Sequence, residues 1–96
     1  MPIPKFLQSY LASYDLSELD TKEDKKLIIT EILNKGNGEA LSWVTDTYSK
    51  DDIKEVVSSP TRGMWLETNL AYWQMIFGLK IAPEVYRNAV INLNPQ

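Results

Sequence analysis

The stretch Leu66-Glu67-Thr68-Asn69-Leu70-Ala71-Tyr72-Trp73-Gln74-Met75-Ile76-Phe77-Gly78-Leu79 decides the reading of this chain. At about 100° per residue it forms a helix with two apolar faces. Leu66, Leu70, Trp73 and Phe77 recur along one face, and Tyr72, Met75 and Leu79 along the opposite one. Glu67, Asn69 and Gln74 fall on the flanks between them. A helix apolar on opposite sides is either sandwiched inside its own fold or keeps one face for a partner. This helix, near residues 66–79, is expected at the centre of the domain.

The remaining periodicity is helical as well. Pro2 and Pro4 restrict a first short helix to about Lys5 onward, carrying Leu7, Tyr10, Leu11 and Tyr14. Asp15–Asp20 is a connection whose Leu16 and Leu19 tuck under the core. Asp20-Thr21-Lys22-Glu23 opens the clearest helix, with Asp20 as N-cap and Glu23 reaching back to the cap N–H. Leu27, Ile28, Ile32 and Leu33 turn inward with Ile29 beside them, and Lys35-Gly36 ends the helix, with Gly36 free to take positive φ. Glu39–Tyr48 buries Ala40, Leu41, Val44 and Tyr48, with Trp43 at the edge. Ser49-Lys50-Asp51-Asp52 caps a helix that turns Ile53, Val56 and Val57 inward. Pro60 and Gly63 bracket a loop, Gly78 lies near the end of the 66–79 helix, and Pro83 opens a last helix with Val85, Tyr86, Ala89, Val90 and Leu93 as its apolar set. No strand-like alternation occurs. The expected fold is all-α: one domain over residues 1–96, built of five or six short helices.

Composition excludes several classes of chemistry. A chain of 96 residues buries roughly two-thirds of the surface it exposes when unfolded, enough for one core. Cys and His are both absent, which removes disulfides, thiolate nucleophiles, imidazole ligands and the usual general base. The expectation is therefore a protein that is not an enzyme, with no cofactor and no metal. The net charge of −3, from ten Lys and Arg against thirteen Asp and Glu, makes nucleic acid a poor partner. No apolar run reaches the ~20 residues a membrane span needs. The N-terminal MPIPKFLQSY lacks a charged start followed by a long apolar stretch. A cytoplasmic location is expected, with no membrane attachment.

Two acidic groups, Glu23–Asp24–Glu31 and Asp51–Asp52–Glu55, fit capping, helix-dipole and solvation roles better than catalysis. Gly36 and Gly38 form no phosphate loop, because no strand precedes them and no Lys-Ser/Thr follows. The pair of helices at 39–58 has helix-turn-helix spacing, but its second helix starts with Asp51 and Asp52, which phosphate would repel. The aromatic residues carry more information. Trp73 is expected in the core, where its removal would cost ~3–5 kcal/mol and unfold the domain. Trp65 follows a loop, so it is either an exposed anchor or a lid on one end of the core. Binding hot spots favour Trp, Tyr and Arg, and Arg62, Trp65, Tyr72, Met75 and Leu79 form the candidate partner-binding set.

The order of residues carries a resemblance over roughly 14–81. It rests on Tyr14-Asp15-Leu16, Leu19-Asp20, Asp24-Lys25-Lys26-Leu27-Ile28-Ile29, Ile32-Leu33 and Gly36, followed by Leu41-Ser42-Trp43-Val44, Tyr48, Ile53-Lys54-Glu55-Val56, Tyr72-Trp73 and Ile76-Phe77-Gly78. In these the chain resembles a family of small bacterial helical domains of unknown function, found beside nucleotidyltransferase-type toxins of the abortive-infection class. In that family Ser-Arg often follows the fourth helix directly. Here Pro60 and Thr61 separate Ser59 from Arg62. The resemblance implies an antitoxin-like protein partner of such a toxin. A homo-oligomer through the Tyr72 face is the other partner expectation. A small DNA-binding autoregulator using the 39–58 pair is the alternative function.

Overall fold

Asp20 starts the first long helix. Its carboxylate accepts the N–H groups of Lys22 at 2.7 Å and Glu23 at 3.0 Å. The reciprocal partner is Asp24 rather than the expected Glu23: its carboxylate accepts the Asp20 N–H at 2.9 Å. The reason is an extra turn at residues 21–24, closed by the Asp24 N–H donating to the Asp20 carbonyl at 2.9 Å, before the helix proper begins. In the computed structural model, which describes residues 3–91, this helix is α1, Lys25–Lys35.

Four further helices follow: α2 (Gly38–Thr47), α3 (Lys50–Ser58), α4 (Glu67–Ile76) and α5 (Pro83–Ala89). The all-α expectation holds; the described residues contain no strand beyond one isolated bridge between Trp65 and Val90. The expected first helix is only a 3₁₀ turn, Lys5–Ser9, whose continuation is held by the Gln8 amide donating to the Leu11 and Tyr14 carbonyls. It still buries Leu7 and Leu11, and the connection behind it packs Leu16 and Leu19 against the core. The caps of α2 and α3 come from their own sequence. Asn37 accepts the Ala40 N–H at 3.3 Å, while Ser49 and Asp52 form a reciprocal box. Inward-turned Ile53, Val56 and Val57 are buried, as are Ala40, Val44 and Tyr48.

The centre of the fold is α1, not the helix near 66–79. α1 packs against α2, α3 and α4, and every residue from Ile28 to Asn34 is buried, including the polar Thr30, Glu31 and Asn34. In α4 only Leu70 is fully buried; Trp73 and Phe77 are half-buried and Leu66 is exposed. The junction between α1 and α2 is crowded. Gly36 has φ −75°, so positive φ is not its reason for being glycine. A Cβ there would lie 2.6 Å from the Ile32 carbonyl oxygen and 3.1 Å from Ala40 Cβ, where α1 hands over to α2. Gly78, by contrast, has φ +61° and closes α4: its N–H reaches the Met75 carbonyl, and that of Leu79 reaches Gln74. This is the paired bonding of a Schellman motif. In α5, Pro83 takes the first turn as expected and Ala89 is buried, but Val85 is exposed rather than inward. A seven-residue helix offers too little length to bury two sides. Pro2 and Leu93 lie outside the described residues.

The carboxyl end of α1 is finished by side chains of α4 and not by solvent. The Leu33 carbonyl accepts the Trp73 indole N–H at 3.2 Å, and the Asn34 carbonyl accepts the Asn69 amide at 2.6 Å. These are groups that every helix end leaves open. The Asn34 side chain works on the loop as well. Its amide donates to the Met64 carbonyl at 2.6 Å and its oxygen accepts the Leu66 N–H at 3.1 Å. Trp65, between them, donates its backbone N–H to Ala89 and accepts that of Ile91. Both edges of residues 64–66 are thus bonded, and the Trp65 side chain, 0% exposed, is driven into the core.

This reverses the weights expected for the two tryptophans. Trp65→Ala should cost ~3–5 kcal/mol, most of the stability of a small domain. Trp73→Ala should cost less, about 2–3 kcal/mol, and leave a folded protein, because its side chain is only partly buried at the edge of the core. Urea unfolding of both variants checks this, and an equal or greater loss for Trp73→Ala would contradict it.

Candidate functional site

The outward side of α4 carries a continuous apolar stripe. Tyr72, Met75 and Ile76 stand at i, i+3 and i+4, so one face of α4 presents all three. Tyr72 is 51% exposed, Met75 70% and Ile76 52%; Leu79, past the helix end, is half-buried against the core. Leu70 and the half-buried Trp73 and Phe77 hold the other side of the helix against α1 and α3. The Tyr72 ring stands edge-on to Trp73, with centroids 5.1 Å apart, and Trp73 stacks on Phe77 at 6.2 Å. An aromatic ladder therefore stiffens the base of the stripe. From Thr68 to Leu79 there is no charged residue.

Of the expected partner-binding set, Tyr72 and Met75 share this face; Leu79 lies past the helix end, packed against the core. Trp65 does not share it either. It is fully buried, so its candidacy as an exposed anchor is withdrawn and the lid reading is the correct one. Backbone bonds on both edges of residues 64–66 leave its side chain only the core to enter. Arg62 is exposed on the loop before it. Ile76 belongs to the stripe and was missed: the pattern of one face through Leu66 and Phe77 and another through Tyr72 and Leu79 assigned it to neither. The i+4 step from Tyr72 was the signal that could have found it.

A second concave surface lies between α1 and the ends of α2 and α3. It is a groove of about 540 Å³ lined by Thr21, Lys22, Lys25, Thr47, Tyr48 and Asp52. The Lys25 ammonium sits 3.1 Å from the Asp52 carboxylate, so one of the groove's two lysines is paired with its single carboxylate. The Tyr48 hydroxyl donates to the Thr21 carbonyl at 2.7 Å. Burial, with help from the carboxylates of Asp20, Asp24 and Asp52, pushes it up to about 12. Asp52 is held below the ordinary carboxylate value, first by its bond from Lys25 and then by Ser49. Asp20 is lowered by the N–H groups of Glu23 and Lys22. In the two acidic groups Asp24 and Asp52 are engaged in capping or pairing, as is Glu31, 3.1 Å from Lys35. No group of three or more Asp or Glu among the described residues could hold a metal ion. Helices α2 and α3 pack chiefly on α1, and no helix of the described residues is long and apolar enough to cross a membrane.

The raised Tyr48 value has a defined consequence for stability. A group whose folded value lies above its unfolded one stabilises fully below the unfolded value, here 10, and loses that contribution as pH rises through the folded one. Stability should therefore fall from pH 10 to about 12. Tyr48→Phe, which keeps the ring and removes the proton, should flatten that fall. Urea midpoints across this range measure it; parallel curves for the two proteins would contradict it.

Comparison with known proteins places the chain by its inner helices. No curated protein and no solved structure matches it. A family model does match residues 8–57, slightly more than half of the 96. The match begins in the first 3₁₀ turn, takes in α1 and α2, and stops at Val57 in α3, short of the 14–81 expected from residue order and short of α4. Over that span the chain belongs to DUF6922, a family of unknown function.

Proposed function

We propose that this domain is a non-catalytic protein-interaction module that binds its partner through the outer face of α4. The observation that carries the reading is the exposed, charge-free row of Tyr72, Met75 and Ile76. Anchors at i, i+3 and i+4 belong to the spacing by which a helix enters an apolar groove of another protein. Exposed Arg62 lies outside the helix and would act, if at all, at the rim. The partner is a nucleotidyltransferase-type enzyme of the abortive-infection toxin class, with the domain as its antitoxin-like counterpart. Two features support this choice: the resemblance in residue order, and a net charge of −3 that suits a site accustomed to phosphate.

The test is affinity capture from nuclease-treated native extract with wild type and with a Met75→Asp/Ile76→Asp double variant. Both side chains are exposed, so the double variant should stay folded, with a loss of about 1–2 kcal/mol from two carboxylates at the helix C-terminus, and its melt is measured alongside the capture. The expected result is one stoichiometric nucleotidyltransferase on the wild type, at least tenfold depleted on the variant. No stoichiometric partner, or equal capture by the variant, would overturn the reading. Salt-sensitive binding to duplex DNA by both proteins would instead support the autoregulator built on α2 and α3.

A further inference from the structure

We infer that α5 is a strap that opens as a unit while α1 to α4 stay folded, and that its opening bares one backbone edge of residues 63–65. The principal helix packings, α1 with α2, α3 and α4, and α3 with α4, leave α5 out. Of its seven residues Ala89 is buried and Tyr86 half-buried, and the other five are exposed. The strap is tied down at its carboxyl end. The Gly63 N–H donates to the Asn88 carbonyl at 2.9 Å and the Trp65 N–H to the Ala89 carbonyl at 3.0 Å, while the Ile91 N–H donates back to the Trp65 carbonyl at 2.7 Å. Asn88 and Ala89 thereby have partners for carbonyls that a helix end leaves open. The amino end of α5 has no side-chain cap, and no ion pair among the described residues includes Glu84 or Arg87. The Tyr86 hydroxyl adds one long bond, 3.4 Å, to the Glu67 carbonyl.

The pivot is set by α4. The Ile81 N–H donates to the Gln74 side-chain oxygen at 3.2 Å, so the chain stays pinned as far as Ile81 and swings from Ala82 onward. A released helix of seven residues falls short of the ~12–15 that persist alone in water, so detachment and unwinding occur together. Opening frees the Gly63 and Trp65 N–H groups and the Trp65 carbonyl, the kind of groups by which an extended chain adds to an edge. Closed, the strap keeps that edge occupied. The opposite edge, where Asn34 holds the Met64 carbonyl and the Leu66 N–H, stays bonded.

Native-state hydrogen exchange in low urea tests this on wild type and on Ile28→Val. In the wild type the Gly63, Trp65, Tyr86, Val90 and Ile91 amides should share one opening reaction, with protection at least about tenfold below that of Ile29, Ile32 and Leu66. Trp65 and Leu66 are chain neighbours bonded on opposite edges, so a gap between them reports the strap alone. Ile28→Val trims the buried side of α1 and should lower protection at Ile32 and Leu66 about three- to tenfold. It should leave the strap amides unchanged, because their opening does not expose Ile28. Protection at Trp65 and Ile91 equal to that at Ile32, or falling in step with it in Ile28→Val, overturns the inference, since α5 then opens only with the whole domain. Strap amides that exchange independently of one another overturn it too. So does loss of protection at Leu66 together with Trp65, because both edges then open at once.

Discussion

The side chain of Asn34 is the interaction on which the rest of the structure depends. One amide group, buried at the last turn of α1, bonds the carbonyl before Trp65 and the N–H after it. Those bonds hold residues 64–66 extended, so the chain after α5 can bond the opposite edge and the indole is committed to the core. A buried amide left without partners costs ~1–3 kcal/mol, which makes the arrangement all or nothing. The backbone of Asn34 closes the circuit by accepting from Asn69, and its neighbour Leu33 accepts from Trp73. The inner side of α4 is thereby anchored through hydrogen bonds as well as apolar contact. Its outer side is left free.

That division explains why a helix with two apolar faces is stable at the surface. The inner face is pinned by Leu70, Trp73 and Asn69 to the end of α1. The Schellman turn at Gly78 stops the helix before it can extend into solvent. Tyr72, Met75 and Ile76 are thereby left exposed in one row on the outer side of the helix, the face proposed above for a partner. The family match ends in α3, before α4 begins.

Elements whose determinants are local in sequence were legible. The Ser49–Asp52 box, Pro83 at the start of α5, the stop at Gly78 and the inward set of α3 all depend on residues within one or two turns. Asn34 and Asn69 were not legible as structural, because apolar periodicity is blind to polar residues and their partners lie 30 to 35 positions away. The same blindness displaced the centre of the fold: Thr30, Glu31 and Asn34 interrupt the apolar pattern of α1 yet are buried. Trp65 and Trp73 exchanged roles because the loop ahead of Trp65 reads as surface until its backbone bonds are known. On the outer face of α4, spacing alone placed Tyr72 and Met75 together. Ile76 was hidden by its closeness to Phe77 on the opposite face.

Native-state hydrogen exchange at the Leu66 amide tests the Asn34 clamp most directly. Its N–H donates to the Asn34 side chain. If the clamp organises the fold, this amide exchanges only with the core amides of α1, in the globally unfolded state. Rapid exchange at Leu66 while Ile29 and Ile32 stay protected would show that the loop opens locally, and would contradict the central role given to Asn34.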